Sequence, residues 1–399
     1  MRDVVIVSAV RTAVGRANKG TLRSTRPDDF GAVAIQGALA RVPQLDVKEI
    51  EDLILGCAMP EAEQGMNVAR IVAQRAGLPI EVPGMTVNRF CASGLQAIAL
   101  AADRIAVGGA EVIVAGGIES MTMIPMGGNK ITANPTLVQD NYGVYFNMGL
   151  TAERVAQHYE VTRVQADEFS VESHRKAVRA IKDGVFVDEI VPVTVTLRKP
   201  VAAGNGSSAC ELEVETIEFK QDECPRAETT LEALSALKPV FHAKGVVTAG
   251  NSSPTNDGAA AAVVMSAERA KALGLKPMAR FVAYASVGCD PTEMGMGPIY
   301  AIPKALKMAG LKLNEIGVIE LNEAFATQAV AVMKQLGLDP AKTNPNGGAI
   351  ALGHPLGCTG AKLTATLLRE LKQSKQRYGI VSMCIGGGMG AAGIFENLN

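Results

Sequence analysis

The chain has 399 residues, 39 basic and 40 acidic side chains and a formal net charge of −1, a balance that gives no bulk electrostatic reason to bind nucleic acid or an anionic membrane. No apolar run approaches the roughly 20 residues that span a bilayer. The length calls for two or three domains, and 41 glycines, no tryptophan and 4% aromatic residues point to tightly packed α/β layers.

In chain order, MRDVVIVSAVRTAVG reads as a first strand and not as a secretion signal, because its apolar stretch is only strand-length before Arg11. DVKEIEDLILGCA (46–58) then gives a helix start and a strand. TVNRFCASGLQAIALAADRI runs from a β-branched run through Cys91 into an apolar helix, and EVIVAGG (111–117) is a buried strand. Residues 118–248 differ in character. They open with the Met-rich IESMTMIPMGG and carry a long amphipathic helix around 165–181, with Thr162 at its start and Gly184 at its end. They then turn polar and β-like through LRKPVAAGNGSSACELEVETIEF. GNSSPTNDGAAAAVV (250–264) is a polar turn entering an alanine-rich strand, in which Ser252 and Ser253 are placed to line a ligand channel.

The order of the early segment returns late in the chain: LNEIGVIELNEAF (313–325), TNPNGGAIALGHPLGCTGAKLTATLLREL (343–371) and YGIVSMCIGGG (378–388). Apolar strands alternating with helices in both stretches predict parallel, helix-covered sheets in a duplicated α/β architecture. Loops at the carboxyl ends of those strands carry Cys91, Asn322, His354 and Cys384. If the halves pack pseudo-symmetrically, these four meet on one face, with residues 118–248 as a cover.

Seven cysteines (Cys57, Cys91, Cys210, Cys224, Cys289, Cys358 and Cys384) are an odd set without a CxxC pair, so a disulfide framework is not expected, and a reducing cytoplasm is the expected compartment. Cys91 stands where a strand becomes a helix, and the free N–H groups and dipole there favour a thiolate. The competing reading is a small buried hydrophobe. His354 lies in the glycine-rich loop GGAIALGHPLGCTGAK, whose glycines leave room for a substrate. Histidine is suited to taking a thiol proton near neutral pH, and a helix cap is the alternative. Cys384 is a second thiol against a glycine run, or a core residue. Asn322 either caps the next helix or holds a water at a site. His158 and His174 read as surface or packing residues, His242 stays open, and no metal-ligand spacing is present. The formal GxGxxG match at 388–393 has only six residues after it, too few for a dinucleotide-binding βαβ unit.

NRFCASGLQ, TAGNSSPTNDGAA, LNEAFA, GGAIALGHPLGCTGA and CIGGGMGAA together resemble the thiolase family, in its motif order and over essentially the whole chain. The resemblance implies a thiolase fold: duplicated βαβαβαββ halves in a five-layer αβαβα sandwich. Residues 1–118 with 249–272 would form the N-terminal core domain, 119–248 an inserted loop domain over the active site, and 273–399 the C-terminal core domain. It implies a 3-ketoacyl-CoA thiolase of fatty-acid β-oxidation, with a biosynthetic acetoacetyl-CoA thiolase as the rival within the family and a non-catalytic acyl-CoA or lipid carrier as the rival outside it. By the same resemblance Cys91 is the acylated nucleophile and His354 its base. Cys384 is the second acid and base, Asn322 holds an oxyanion-hole water, and the N–H groups of Cys91 and Gly386 form a second oxyanion hole. Arg226, Ser253, Met148 and Phe325 are the implied contacts of coenzyme A, a co-substrate and not a resident cofactor. A homodimer or homotetramer is implied, with a β-oxidation multienzyme as a further partner. Asn147 stands where many biosynthetic members have histidine.

Overall fold

A computed structural model describes residues 2–201 and 211–399; Cys210 lies outside the described residues. In chain order the main strands are β1 (Val4–Thr12), β2 (Asp52–Gly56), β3 (Gly84–Val87), β4 (Val112–Ser120), β5 (Val193–Val201), β6 (Glu211–Phe219), β7 (Asn256–Ser266), β8 (Ala279–Gly288), β9 (Ile316–Leu321), β10 (Tyr378–Ile385) and β11 (Met389–Asn397). The main helices are α1 (Pro27–Ala40), α2 (Val68–Arg75), α3 (Ser93–Ala106), α4 (Met148–His158), α5 (Arg163–Lys182), α6 (Gly297–Ala309), α7 (Ala326–Leu336) and α8 (Leu356–Ser374).

Among the described residues, nine strands run in one continuous hydrogen-bonded array in the order β9-β10-β11-β8-β1-β7-β4-β2-β3, which two short strands, Gly15–Arg16 beside β7 and Ile190–Val191 beside β1, bring to eleven. Its midline is the antiparallel seam β1·β8, where Val5 faces Arg280 and Ile6 faces Ala279. Read outward from that seam, each half has the same order: first strand, last, fourth, second. In the N-terminal half the third strand, β3, pairs parallel with β2. Its C-terminal counterpart is reduced to a single parallel bridge, Ile319 to Thr343, so the predicted repeat holds with one strand nearly lost. The sheets are mixed and not all parallel as expected: β7 is antiparallel to both β1 and β4, and β11 to both β8 and β10. For β11 against β10 the reason is local. β10 and β11 are joined by a glycine hairpin in which Gly387 and Gly388 have φ of 80° and 82°, a conformation open to glycine at little cost.

Side chains alternate across the strands into separate cores. In β2, Leu53 and Leu55 face a core with α1 and α2, while Ile54 faces a central core containing Leu95 and Ile98 of α3 and Leu367 and Leu368 of α8. Val381 and Met383 of β10 enter that central core from the other side. Ile380 and Ile394 point outward with Ile302 of α6 and Val332 of α7. The layers are therefore helix, sheet, helix, sheet, helix, which is the five-layer sandwich.

The two central helices lie close because glycine allows it: a Cβ on Gly360 would sit 2.3 Å from the backbone nitrogen of Leu95. Gly357 is similar, with the Cα of Cys57 2.7 Å from where its Cβ would be. The glycines after His354 thus make room for neighbouring backbone and not for substrate, a correction to the sequence reading. Residues between β4 and β7 supply α4, α5 and the β5–β6 hairpin. α5 begins as predicted with a reciprocal cap between Thr162 and Gln165, and Gly184 follows its end with φ of 69°.

Candidate active site

Cys91 sits in a 3-10 turn, Phe90–Ala92, between β3 and α3. The turn carries strain, for Phe90 has φ of 42°. It is pinned by Ser93 Oγ, which donates to the Phe90 carbonyl at 2.7 Å and accepts from Arg89 N–H at 2.8 Å. The N–H groups of Gly386 and of Cys91 itself face the sulfur. Gly386 follows β10 and lies between Met148 and Phe90.

Cys384 is the last residue but one of β10 and is fully buried. The two sulfurs lie within electrostatic reach, so charge on Cys91 raises the Cys384 thiol, which burial already holds well above its ordinary value. Burial also pushes Cys91 up to about 12, against the pull of its two N–H groups. The sequence expectation of an acidic Cys91 is therefore corrected: desolvation outweighs the helix start, and the resting thiol is neutral.

His354 follows Gly353 and precedes Pro355, the residue at the start of α8. Its N–H donates to Asn256 Oδ1 at 2.9 Å. Its Nδ1 lies 2.6 Å from Thr359 Oγ1, and its Nε2 lies 3.3 Å from Asn322 Nδ2. Burial, then the Lys362 ammonium, push its pKa down to about 3, so the resting ring is neutral. Asn322 follows β9 and does not cap α7, whose cap position is Phe325. Its Oδ1 is buried without a hydrogen-bond partner, unusual for an amide and apt for a polar atom of a substrate or water.

A cavity of ≈ 480 Å³ has Arg226 and Ser253 in its wall, and none of Cys91, His354, Asn322 or Cys384 lines it. Ala17 belongs both to that wall and to the apolar cluster around Cys91. Met148 and Phe325 are not part of that wall and pack with Cys384. The structure thus places two of the four expected coenzyme contacts, Arg226 and Ser253, in the cavity wall and the other two, Met148 and Phe325, against Cys384. Asn147 caps α4, its Oδ1 accepting from Gly149 N–H at 2.8 Å, and so has a structural role.

Several residues escaped the sequence reading. His174, read as a packing residue, is buried yet lines the cavity, and its Nδ1 accepts the N–H of Arg226 at 3.2 Å. Phe241 meets Phe325 edge-on at 6.3 Å. Glu119, fully buried, accepts N–H groups from Ala58, Met59 and Gly357 and the amide of Gln64, which stitches the two halves together behind Cys91. Glu119 and Thr359 stood inside the quoted stretches; the signal available was a carboxylate in an apolar strand and a hydroxyl five residues after the histidine. His158 is exposed and pairs with Glu293.

Comparison with known proteins decides the family. The thiolase N-terminal domain model matches residues 4–268 and the thiolase C-terminal domain model residues 275–397. The chain belongs to the thiolase family. It is accordingly an acyltransferase. Among thiolases, it is 52% identical to a 3-ketoacyl-CoA thiolase of Bacillus subtilis (strain 168), covering 99% of this chain and all of that protein. It is 45% identical to an acetyl-CoA acetyltransferase of Escherichia coli (strain K12), with both chains fully covered. Among solved thiolase structures, the Bacillus anthracis acetyl-CoA acetyltransferase superposes with a TM-score of 0.89 at 40% identity, over 100% of this chain and 99% of that one. Human mitochondrial 3-ketoacyl-CoA thiolase gives 0.88 at 38% identity, over 99% of each chain. Among the described residues, no helix is long and apolar enough to cross a membrane.

Proposed function

We propose that the chain is a 3-ketoacyl-CoA thiolase that cleaves 3-ketoacyl-CoA with CoA, giving acetyl-CoA and a shortened acyl-CoA in fatty-acid β-oxidation. The observation that carries this reading is the pairing of two buried thiols, Cys91 and Cys384, close enough for one charge to act on the other, together with a neutral His354 whose Nε2 lies against Asn322. In this scheme Cys91 yields its proton to His354 Nε2 as its sulfur attacks the keto carbon. The alkoxide, met by the N–H groups of Cys91 and Gly386, collapses, and the C2–C3 electron pair passes to the thioester as an enolate. Asn322, through a water, and protonated His354 stabilise that enolate, and Cys384 protonates it as acetyl-CoA leaves. The Cys384 thiolate then takes the proton of incoming CoA, whose sulfur attacks the Cys91 thioester. Cys91 departs as thiolate and recovers its proton from His354, so every proton is returned.

CoA would lie in the ≈ 480 Å³ cavity, its nucleotide end near Arg226, its pantetheine arm by Ser253 and its thioester between Met148 and Phe325. We also propose the division into core domains 1–118 with 249–272 and 273–399 and an inserted domain 119–248, a cytoplasmic location and a homo-oligomeric state. The biosynthetic direction is the second reading, favoured by the relatives named acetyl-CoA acetyltransferase. CoA-dependent cleavage of short and long 3-ketoacyl-CoAs tests both. Cleavage of long substrates, abolished in Cys91→Ala, supports the degradative reading, and activity confined to acetoacetyl-CoA favours the biosynthetic one. Cys384→Ala is expected to accept an acyl label from acyl-CoA while losing cleavage, and an unlabelled Cys384→Ala protein would break the division of roles.

A further inference from the structure

Two contacts of one hydroxyl bear on the chemistry of His354. Thr359 occupies the first turn of α8, and its Oγ1 lies 2.9 Å from the Pro355 carbonyl, four residues back. That is the back-bond a helical threonine makes to its own helix, and it consumes the single hydroxyl hydrogen. The same oxygen is 2.6 Å from His354 Nδ1, and both residues are buried. With its hydrogen committed, Oγ1 can only accept there, so Nδ1 must carry the hydrogen. Nε2 is then left with a lone pair, and it faces the Asn322 Nδ2 amide, a donor, at 3.3 Å.

We propose that Thr359 is a positioning residue that fixes the tautomer of His354, holding hydrogen on Nδ1 and keeping Nε2 bare on the side of Asn322. The device follows from helix geometry: a histidine one residue before a helix-opening proline meets the residue five positions on, whose hydroxyl is occupied by the proline carbonyl. A neutral hydroxyl, unlike a carboxylate, leaves the imidazolium little extra stabilisation. The ring therefore gives its proton back readily, which a base that must also serve as acid requires. Asn256 takes the backbone N–H of His354 and so holds the loop.

For its kinetic consequence the proposal rests on the acyl-transfer reading, but the proton assignment does not, and the test separates them. The protein has four histidines, so its 15N-histidine spectrum is tractable, with His354 identified by the signal lost in His354→Asn. At neutral pH the wild type is expected to show a protonated Nδ1 and a bare Nε2 for His354. Thr359→Val should disturb that pattern and lower kcat of thiolysis about 10- to 100-fold with KM little changed. Thr359→Ser should restore both pattern and rate. A bare Nδ1 in the wild type overturns the proposal whether or not the variants fold, as does a Thr359→Val protein with wild-type kcat and spectrum. If the wild type shows the expected pattern but cleaves no 3-ketoacyl-CoA, the tautomer assignment stands and the proposed function falls.

Discussion

At Cys91 two opposing effects have comparable origins and unequal sizes. A helix start favours a nearby negative charge by about 0.3–2 kcal/mol. The net rise of this thiol from 9.0 to about 12 corresponds to about 4 kcal/mol against the thiolate, so burial wins even after the N–H groups of Gly386 and Cys91 have acted. The sign follows for reactivity. Below about pH 12 the free protein holds a neutral Cys91, and its thiolate fraction grows as pH rises. Alkylation of Cys91 by iodoacetamide is therefore expected to accelerate steadily across the neutral and mildly alkaline range. A plateau starting near neutrality would mean that the dipole had prevailed. The sequence located this cysteine through its strand-to-helix junction, yet its acidity was misjudged, because burial depends on Ala17, Ala58, Met121 and Leu356, which reach it from four separate segments.

The two central helices show which elements a sequence discloses. α5 was legible from Thr162 and Gly184, since caps are local chemistry, and the alanine run of β7 announced a buried strand. The direction of β7 was not legible, because antiparallel pairing with β1 and β4 arises from how a long insertion returns the chain to the sheet. Nor was the purpose of the glycines in α8. Gly360 faces Leu95 of α3 across a gap that a methyl group cannot enter, since backbone and not a flexible side chain stands opposite. Gly360→Ala is expected to cost about 1–3 kcal/mol by overpacking, read as a lower urea midpoint. Because α3 carries Cys91 at its start and α8 follows His354, the same variant should lose thiolysis beyond its loss of stability. A Gly360→Ala protein with unchanged midpoint and rate would show that the helices have slack.

On the scale of the molecule, the inserted segment is tied to the core by a buried ion cluster. Arg11 of β1 donates from Nε to Glu189 at 2.6 Å and from Nη1 and Nη2 to Asp222 at 2.8 and 2.9 Å, with its guanidinium over the Phe186 ring. Arginine and both acids are 1% exposed. Removing the cation strands two carboxylates in a dry interior, so Arg11→Met is expected to destabilise by about 3–5 kcal/mol, measured by urea unfolding. A cost below 1 kcal/mol would mean that the acids find water or another donor. The sequence showed Arg11 only as the residue that ends an apolar run; its partners lie 178 and 211 positions away.

The matching order of the two halves also says something about symmetry. Cys91 stands just before α3 and His354 just before α8, which are equivalent places in the repeat. Two identical copies related by a twofold axis would set cysteine against cysteine or histidine against histidine across that axis, and never the one against the other. A nucleophile and its base can share these positions only after the copies have become unequal. The seam at β1·β8 holds two such unequal halves in one polypeptide, an arrangement that a symmetric pair of identical chains could not offer to this pair of residues.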